Sequence, residues 1–137
     1  MPSITDRPAT AAGRLWVARI ASALAVLFLL FDSVIKLVKI APVVESFARL
    51  GYPDSLSRGI GGVELVCLVV YLIPRTSALG AVLLTGFLGG AIATHVRVGD
   101  PLLSHVLFPA YVAALLWGGL WLRDERLRTL VPVRQYI

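Results

Sequence analysis

A chain of 137 residues has room for one domain, and 58% of this one is apolar against 15% charged. A mean hydropathy of +0.84 excludes an ordinary soluble fold, because a domain this small cannot hide so much apolar surface from water. The net charge of +5 does not point to nucleic acid: the basic residues flank apolar runs and do not alternate with aromatics on a polar face.

A membrane-spanning helix needs about 20 mostly apolar residues. The first such run extends from near Trp16 to about Val38. Basic residues precede it, but no small-x-small cleavage site follows, and Phe31-Asp32-Ser33-Val34-Ile35-Lys36 continues the helix. A short amphipathic helix over about 42–50 comes next. Pro42 can open it, Val43, Val44, Phe47 and Leu50 share its apolar face, and Gly51 can close it. Glu45 and Arg49 stand four apart on its polar side, so it reads as a helix lying in the membrane interface.

The second span covers about 55–73, with Asp54 or Ser55 as cap and Pro74 as stop. A third covers about 77–95 and carries the GxxxG pair Gly86 and Gly90, which reads by default as helix packing within the chain and, as the sharper alternative, as a dimer face. In the fourth, about 103–122, Pro109 frees the carbonyl of His105 and kinks the helix. The fold class is therefore all-α: an integral membrane four-helix bundle with a short interfacial helix between spans one and two, a single transmembrane domain over residues 1–137.

Four crossings put both termini on one side of the membrane. With that side cytoplasmic, Arg7, Arg14, Arg19, Arg75, Arg123, Arg126, Arg128 and Arg134 lie inside, eight of the thirteen Lys and Arg residues. Trp16, Tyr71, Trp117 and Trp121 then form an aromatic belt at the inner interface. Cys67, the single cysteine, excludes an intrachain disulfide or a CxxC pair and reads as a small core residue.

Polar residues gather in one half of the bilayer. Asp32 and Lys36 lie toward the end of span one, Glu64 in the first half of span two, Thr94, His95 and Arg97 at the end of span three, and His105 at the start of span four. Spans alternate in direction, so all fall at the same end. Charged groups at that depth cost a few kcal/mol or more unless they face the bundle interior or water. Asp32 and Lys36, four apart, can neutralise each other. Glu64 has no partner in its own span and must find one across the bundle, Lys36 or Arg97, or stay protonated. His95 and His105 stand at similar height on neighbouring spans, as haem ligation would need, but two shallow histidines more often cap or hydrogen-bond. Haem and metal are not expected. No phosphate loop, GxSxG elbow or HExxH is present.

Several motifs occur in order: Gly51-Tyr52-Pro53, Gly61-Gly62-Val63-Glu64-Leu65, Ile73-Pro74-Arg75-Thr76 and Thr85-Gly86-Phe87-Leu88-Gly89-Gly90-Ala91. Thr94-His95-Val96-Arg97, Leu107-Phe108-Pro109 and Trp117-Gly118-Gly119-Leu120-Trp121-Leu122-Arg123-Asp124 follow. In combination, over roughly residues 20–130, the chain resembles the DoxX-like family of small bacterial membrane proteins. The resemblance implies a four-helix membrane bundle and stresses Glu64, Thr94, His95 and Arg97. Some members of the wider DoxX and DoxD grouping are linked to thiosulfate:quinone oxidoreduction or oxidative-stress complexes.

The expected function is a small-molecule site within the bundle, in the half that is outer when the termini are cytoplasmic. Its ligand is a lipophile with a polar head such as a quinone, and the chain serves as a redox-linked subunit or a small membrane enzyme. Glu64 would exchange a proton, His95 would hydrogen-bond a carbonyl or relay the proton, and Arg97 would stabilise negative charge. Asp32 and Lys36 would tune them, with Thr94 and His105 completing the ligand-binding set. Two alternatives stay open: a structural or assembly subunit of a membrane complex whose buried charges specify packing, and an oligomeric transporter component. Expected partners are membrane lipid, a homo-oligomer or a membrane-complex partner, and not nucleic acid.

Overall fold

The computed structural model describes residues 7–131. Of the flanking basic residues, Arg134 lies outside the described residues, as does the side chain of Arg7. The described residues form six α-helices: α1 (Arg7–Val38), α2 (Ala41–Leu50), α3 (Ser57–Leu72), α4 (Ser77–Arg97), α5 (Phe108–Arg123) and α6 (Glu125–Leu130). No strand occurs among the described residues. Among the described residues, four helical stretches are long and apolar enough to cross a membrane: Ala11–Val38, Asp54–Leu72, Ser77–Arg97 and Leu102–Arg123.

Local chemistry sets the breaks between them. Lys39 takes a left-handed φ of 62°, which ends α1 and turns the chain into α2. Pro42 sits in the first turn of α2, where its missing N–H leaves no helical bond unmade. Gly51, at φ 77°, closes the helix, and the amides of Gly51 and Tyr52 bond the carbonyls of Ala48 and Phe47. Val43 and Phe47 are the residues of α2 buried against the bundle. Arg49, four residues from Glu45, is drawn instead to Asp100. Neither Asp54 nor Ser55 caps the next helix with its side chain. Asp54 opens a single 3₁₀ turn to Leu56, and its carboxylate is drawn to Lys39 at 2.7 Å.

Around the bundle, α1 packs against α3 and α5, and α4 against the same two helices. Leu29, Leu68, Leu84 and Leu116 meet at its centre and are fully buried. On the outside, Leu27, Phe31, Val66 and Val82 are exposed, as they must be where lipid is the solvent. Lipid tails are as apolar as leucine, so close packing holds such helices together. Gly80 and Gly119 supply it. A β-carbon on Gly80 would lie 2.2 Å from the Tyr71 amide nitrogen, and one on Gly119 would lie 2.9 Å from the Ala18 carbonyl.

The GxxxG pair does not pack within the chain as expected. A β-carbon on Gly86 or Gly90 would meet nothing within 4 Å; both residues border a cavity. Tyr71 is not part of an interfacial belt either. It is 1% exposed, because its hydroxyl finds partners inside: it donates to the Leu116 carbonyl at 3.1 Å and accepts from Ser22 at 3.2 Å. Arg123 donates to the same Ser22 and lies over the Tyr71 ring.

The fourth apolar segment is broken before Pro109, and Pro109 does not kink a continuous helix. A wide, π-type turn covers Leu102–Val106, in which the Leu107 amide bonds the Leu102 carbonyl five residues back. A new helix then begins at Phe108, with Pro109 in its first turn, where a proline ring is accommodated. The unexpected α6 is capped by Asp124, whose carboxylate accepts from the amides of Arg126 and Leu127.

Candidate functional site

At the end of the bundle covered by α2 lies a cavity of about 630 Å³. Its wall is built by the second half of α1, α2 with Tyr52 just after it, the second half of α4 and the start of α5, with Ile60 of α3 closing one side. Aromatic rings form the apolar part, namely Phe28, Phe47, Phe87 and Phe108, with Phe28 and Phe108 edge to face at 4.9 Å. Gly86, Gly90 and Ala91 keep the α4 wall thin, so the space exists because those positions carry almost no side chain.

Asp32, Lys36, Thr94 and His95 all line this cavity. Lys36 is the centre of a three-charge cluster: its ammonium donates to Asp32 at 2.5 Å, one helical turn back, and to Glu64 on α3 at 2.8 Å. Glu64 is fully buried and stands behind Lys36, off the cavity wall. One of its oxygens, Oε1, meets no hydrogen-bond partner among the described residues. Gly61, one turn before Glu64, makes this approach of α3 to α1 possible: a β-carbon there would lie 2.8 Å from the Lys36 Cβ. Of the two cations open to Glu64 from the sequence, Lys36 is the one that reaches it.

Arg97 and His105 are placed elsewhere. Arg97 donates to the Leu50 carbonyl at the end of α2 and lies 5.4 Å from the centre of the Tyr52 ring. His105 is exposed, 2.8 Å from the Ser104 hydroxyl, with its ring edge-on to His95 at 5.9 Å. Among the described residues, no three His, Cys, Asp or Glu side chains are grouped to hold a metal ion.

One residue that organises this end was not singled out in the sequence. Asp100, in the turn between α4 and the π-type turn, accepts from the His95 Nδ1–H at 2.5 Å and from Arg49 at 2.5 Å. The hydrogen bond from His95, followed by that from Arg49, holds the Asp100 carboxyl below its ordinary value of 3.8. Tyr52 adds a further link, its hydroxyl 2.9 Å from that of Thr94. Since Thr94 gives its own hydrogen to the Gly90 carbonyl, Tyr52 is the donor. Together these contacts tie α2 across the cavity to the end of α4. The available signal was positional: Asp100 is the one acid between Arg97 and His105.

The family model of the DoxX-like family matches residues 20–119. The chain belongs to the DoxX-like family. No curated protein and no solved structure matches it. The matched stretch takes in most of the four long apolar helices and every lining residue of the cavity. This DoxX-like chain is a multi-pass membrane protein, and Asp32, Lys36, Thr94 and His95 converge on the cavity at one end of its bundle.

Proposed function

We propose that this DoxX-like protein binds a lipophilic small molecule with a polar head, a quinone being the type, and works as a redox-linked subunit or small membrane enzyme. The observation that carries the reading is the cavity itself: about 630 Å³ of space inside a bundle only four helices wide. Ligand sites are commonly concave, mostly apolar and fitted with a few convergent polar groups. Here the rings of Phe28, Phe87 and Phe108 accept a lipophilic body, while Lys36, Asp32, Thr94 and His95 face the same space. Both termini on the cytoplasmic side is the orientation that the basic flanks favour.

The test is native mass spectrometry with lipid extraction, on protein purified gently from its own membranes. A stoichiometric lipophile is expected, and Gly90→Leu, which fills the cavity from α4, should release it. Bulk phospholipid alone in the unmodified protein would sink the reading.

A second reading rests on the Lys36 cluster. Two carboxylates on different helices share one ammonium against Gly61, an arrangement that fixes how α1 meets α3 whether or not a ligand binds. In an assembly subunit those charges would specify packing, and a protein partner, not a lipophile, would co-purify.

A further inference from the structure

The hydrogen atoms on the α4 wall narrow the chemistry of the head that a ligand can present there. Thr94 gives its hydroxyl hydrogen to the Gly90 carbonyl, and Tyr52 gives its own to Thr94. His95 gives its Nδ1–H to Asp100, a carboxylate that Arg49 binds from the other side and that only accepts when ionised. A neutral imidazole whose Nδ1 carries the hydrogen keeps a lone pair on Nε2. No hydrogen bond to Nε2 is made among the described residues, and the side chain lines the cavity. Each of these donor hydrogens is committed, and what the α4 wall offers is an acceptor.

We propose that, among the lipophiles the cavity takes, it favours those carrying a hydroxyl, a phenol or quinol over the corresponding ether, with the hydroxyl donating to His95 Nε2 and Asp100 acting as the positioning residue. This rests on the reading of the cavity as a lipophile site and adds its selectivity. A carboxylate behind an imidazole fixes both the tautomer and the ring orientation. It gives His95 the part of an acceptor, beside the two roles expected from sequence, hydrogen-bonding a carbonyl or relaying a proton.

Binding of a long-chain alkylphenol and of its methyl ether to the protein in lipid nanodiscs, with empty nanodiscs as blank, reads the selectivity directly. The phenol should bind about tenfold more tightly, the worth of one well-made hydrogen bond. His95→Ala and Asp100→Asn should bring the ratio close to one. Nitrogen-15 spectra of the labelled imidazoles at mildly alkaline pH, assigned with His105→Gln, should show His95 protonated at Nδ1 and bare at Nε2, and Asp100→Asn should mix the tautomers. Equal binding of the two probes, or an Nε2–H on His95, overturns the selectivity and leaves the cavity reading standing. If neither probe binds, the cavity reading falls and this inference falls with it. A phenol preference that survives Asp100→Asn removes Asp100 from the positioning role. The probe comparison and the spectra on the unmodified chain stand even where a variant does not fold.

Discussion

The ammonium of Lys36 on α1 lies 2.8 Å from the carboxylate of Glu64 on α3, inside two of the stretches long enough to cross the membrane. It also lies 2.5 Å from Asp32, so one positive charge serves two negative ones. Removing different members of the cluster therefore has unequal consequences.

Glu64→Leu leaves Asp32 and Lys36 as a matched pair, whereas Lys36→Met leaves two carboxylates with no counter-charge. Stripping the partner from a buried ion pair costs about 3–5 kcal/mol. Lys36→Met should approach that loss and Glu64→Leu should fall clearly short of it. Reversible unfolding in mixed micelles, followed by circular dichroism, checks the order, and equal losses would contradict it.

Asp100 makes the closure of α2 sensitive to acid. Its carboxyl is held below 3.8 by His95 and Arg49, so the bridge contributes fully above that ordinary value and is lost as pH falls through the lower folded value. Amide hydrogen exchange in α2 should therefore accelerate in that acid range, after correction for intrinsic rates. In Asp100→Asn the acid step should be absent, and exchange should already be faster at neutral pH.

The glycines of α4 should divide sharply. Gly80→Ala drives a β-carbon to within 2.2 Å of the Tyr71 backbone and should cost about 1–3 kcal/mol or more, as overpacking does. Gly86→Ala meets nothing within 4 Å and should be near neutral, with a small gain from better helix propensity. Thermal melts of the two variants side by side decide the matter.

The contact between Tyr52 and Thr94, 2.9 Å long, offers a milder probe of how α2 is held. Tyr52→Phe removes one hydrogen bond and keeps the ring under Arg97, so it should cost about 1 kcal/mol. The loss should appear as faster exchange of α2 amides, with α3 and α5 unchanged.

The four spans were readable because lipid imposes a requirement on length and composition that few other environments share. The pairing of Asp32 with Lys36 was equally legible, since four residues along a helix fixes it. The bond between Lys36 and Glu64 could be narrowed to two candidates and no further, because choosing between Lys36 and Arg97 needs the rotation of α1 against α3. That rotation is set by the close approach at Gly61. Asp100 escaped notice for a related reason: Arg49 is 51 residues away, and only the docking of α2 brings it near. Tyr71 misled because an aromatic near a span's end reads as an interfacial anchor, while its hydroxyl had partners inside. Gly86 and Gly90 misled in the opposite sense, their spacing suggesting contact where the structure has space.

The wide turn at Leu102–Val106 has a geometric effect on the whole fourth segment. Its bonds reach five residues back where a regular helix reaches four, so one residue is accommodated beyond the regular repeat. Each residue of an α-helix turns by about 100°, and the residues of the turn are therefore out of phase with α5 after it. Two stretches of one crossing can thus face different neighbours: His105 is turned toward His95, while Val112, Leu116 and Leu120 keep an unbroken stripe toward the centre. Removing a single residue from the turn would bring the two phases together and swing His105 away from His95.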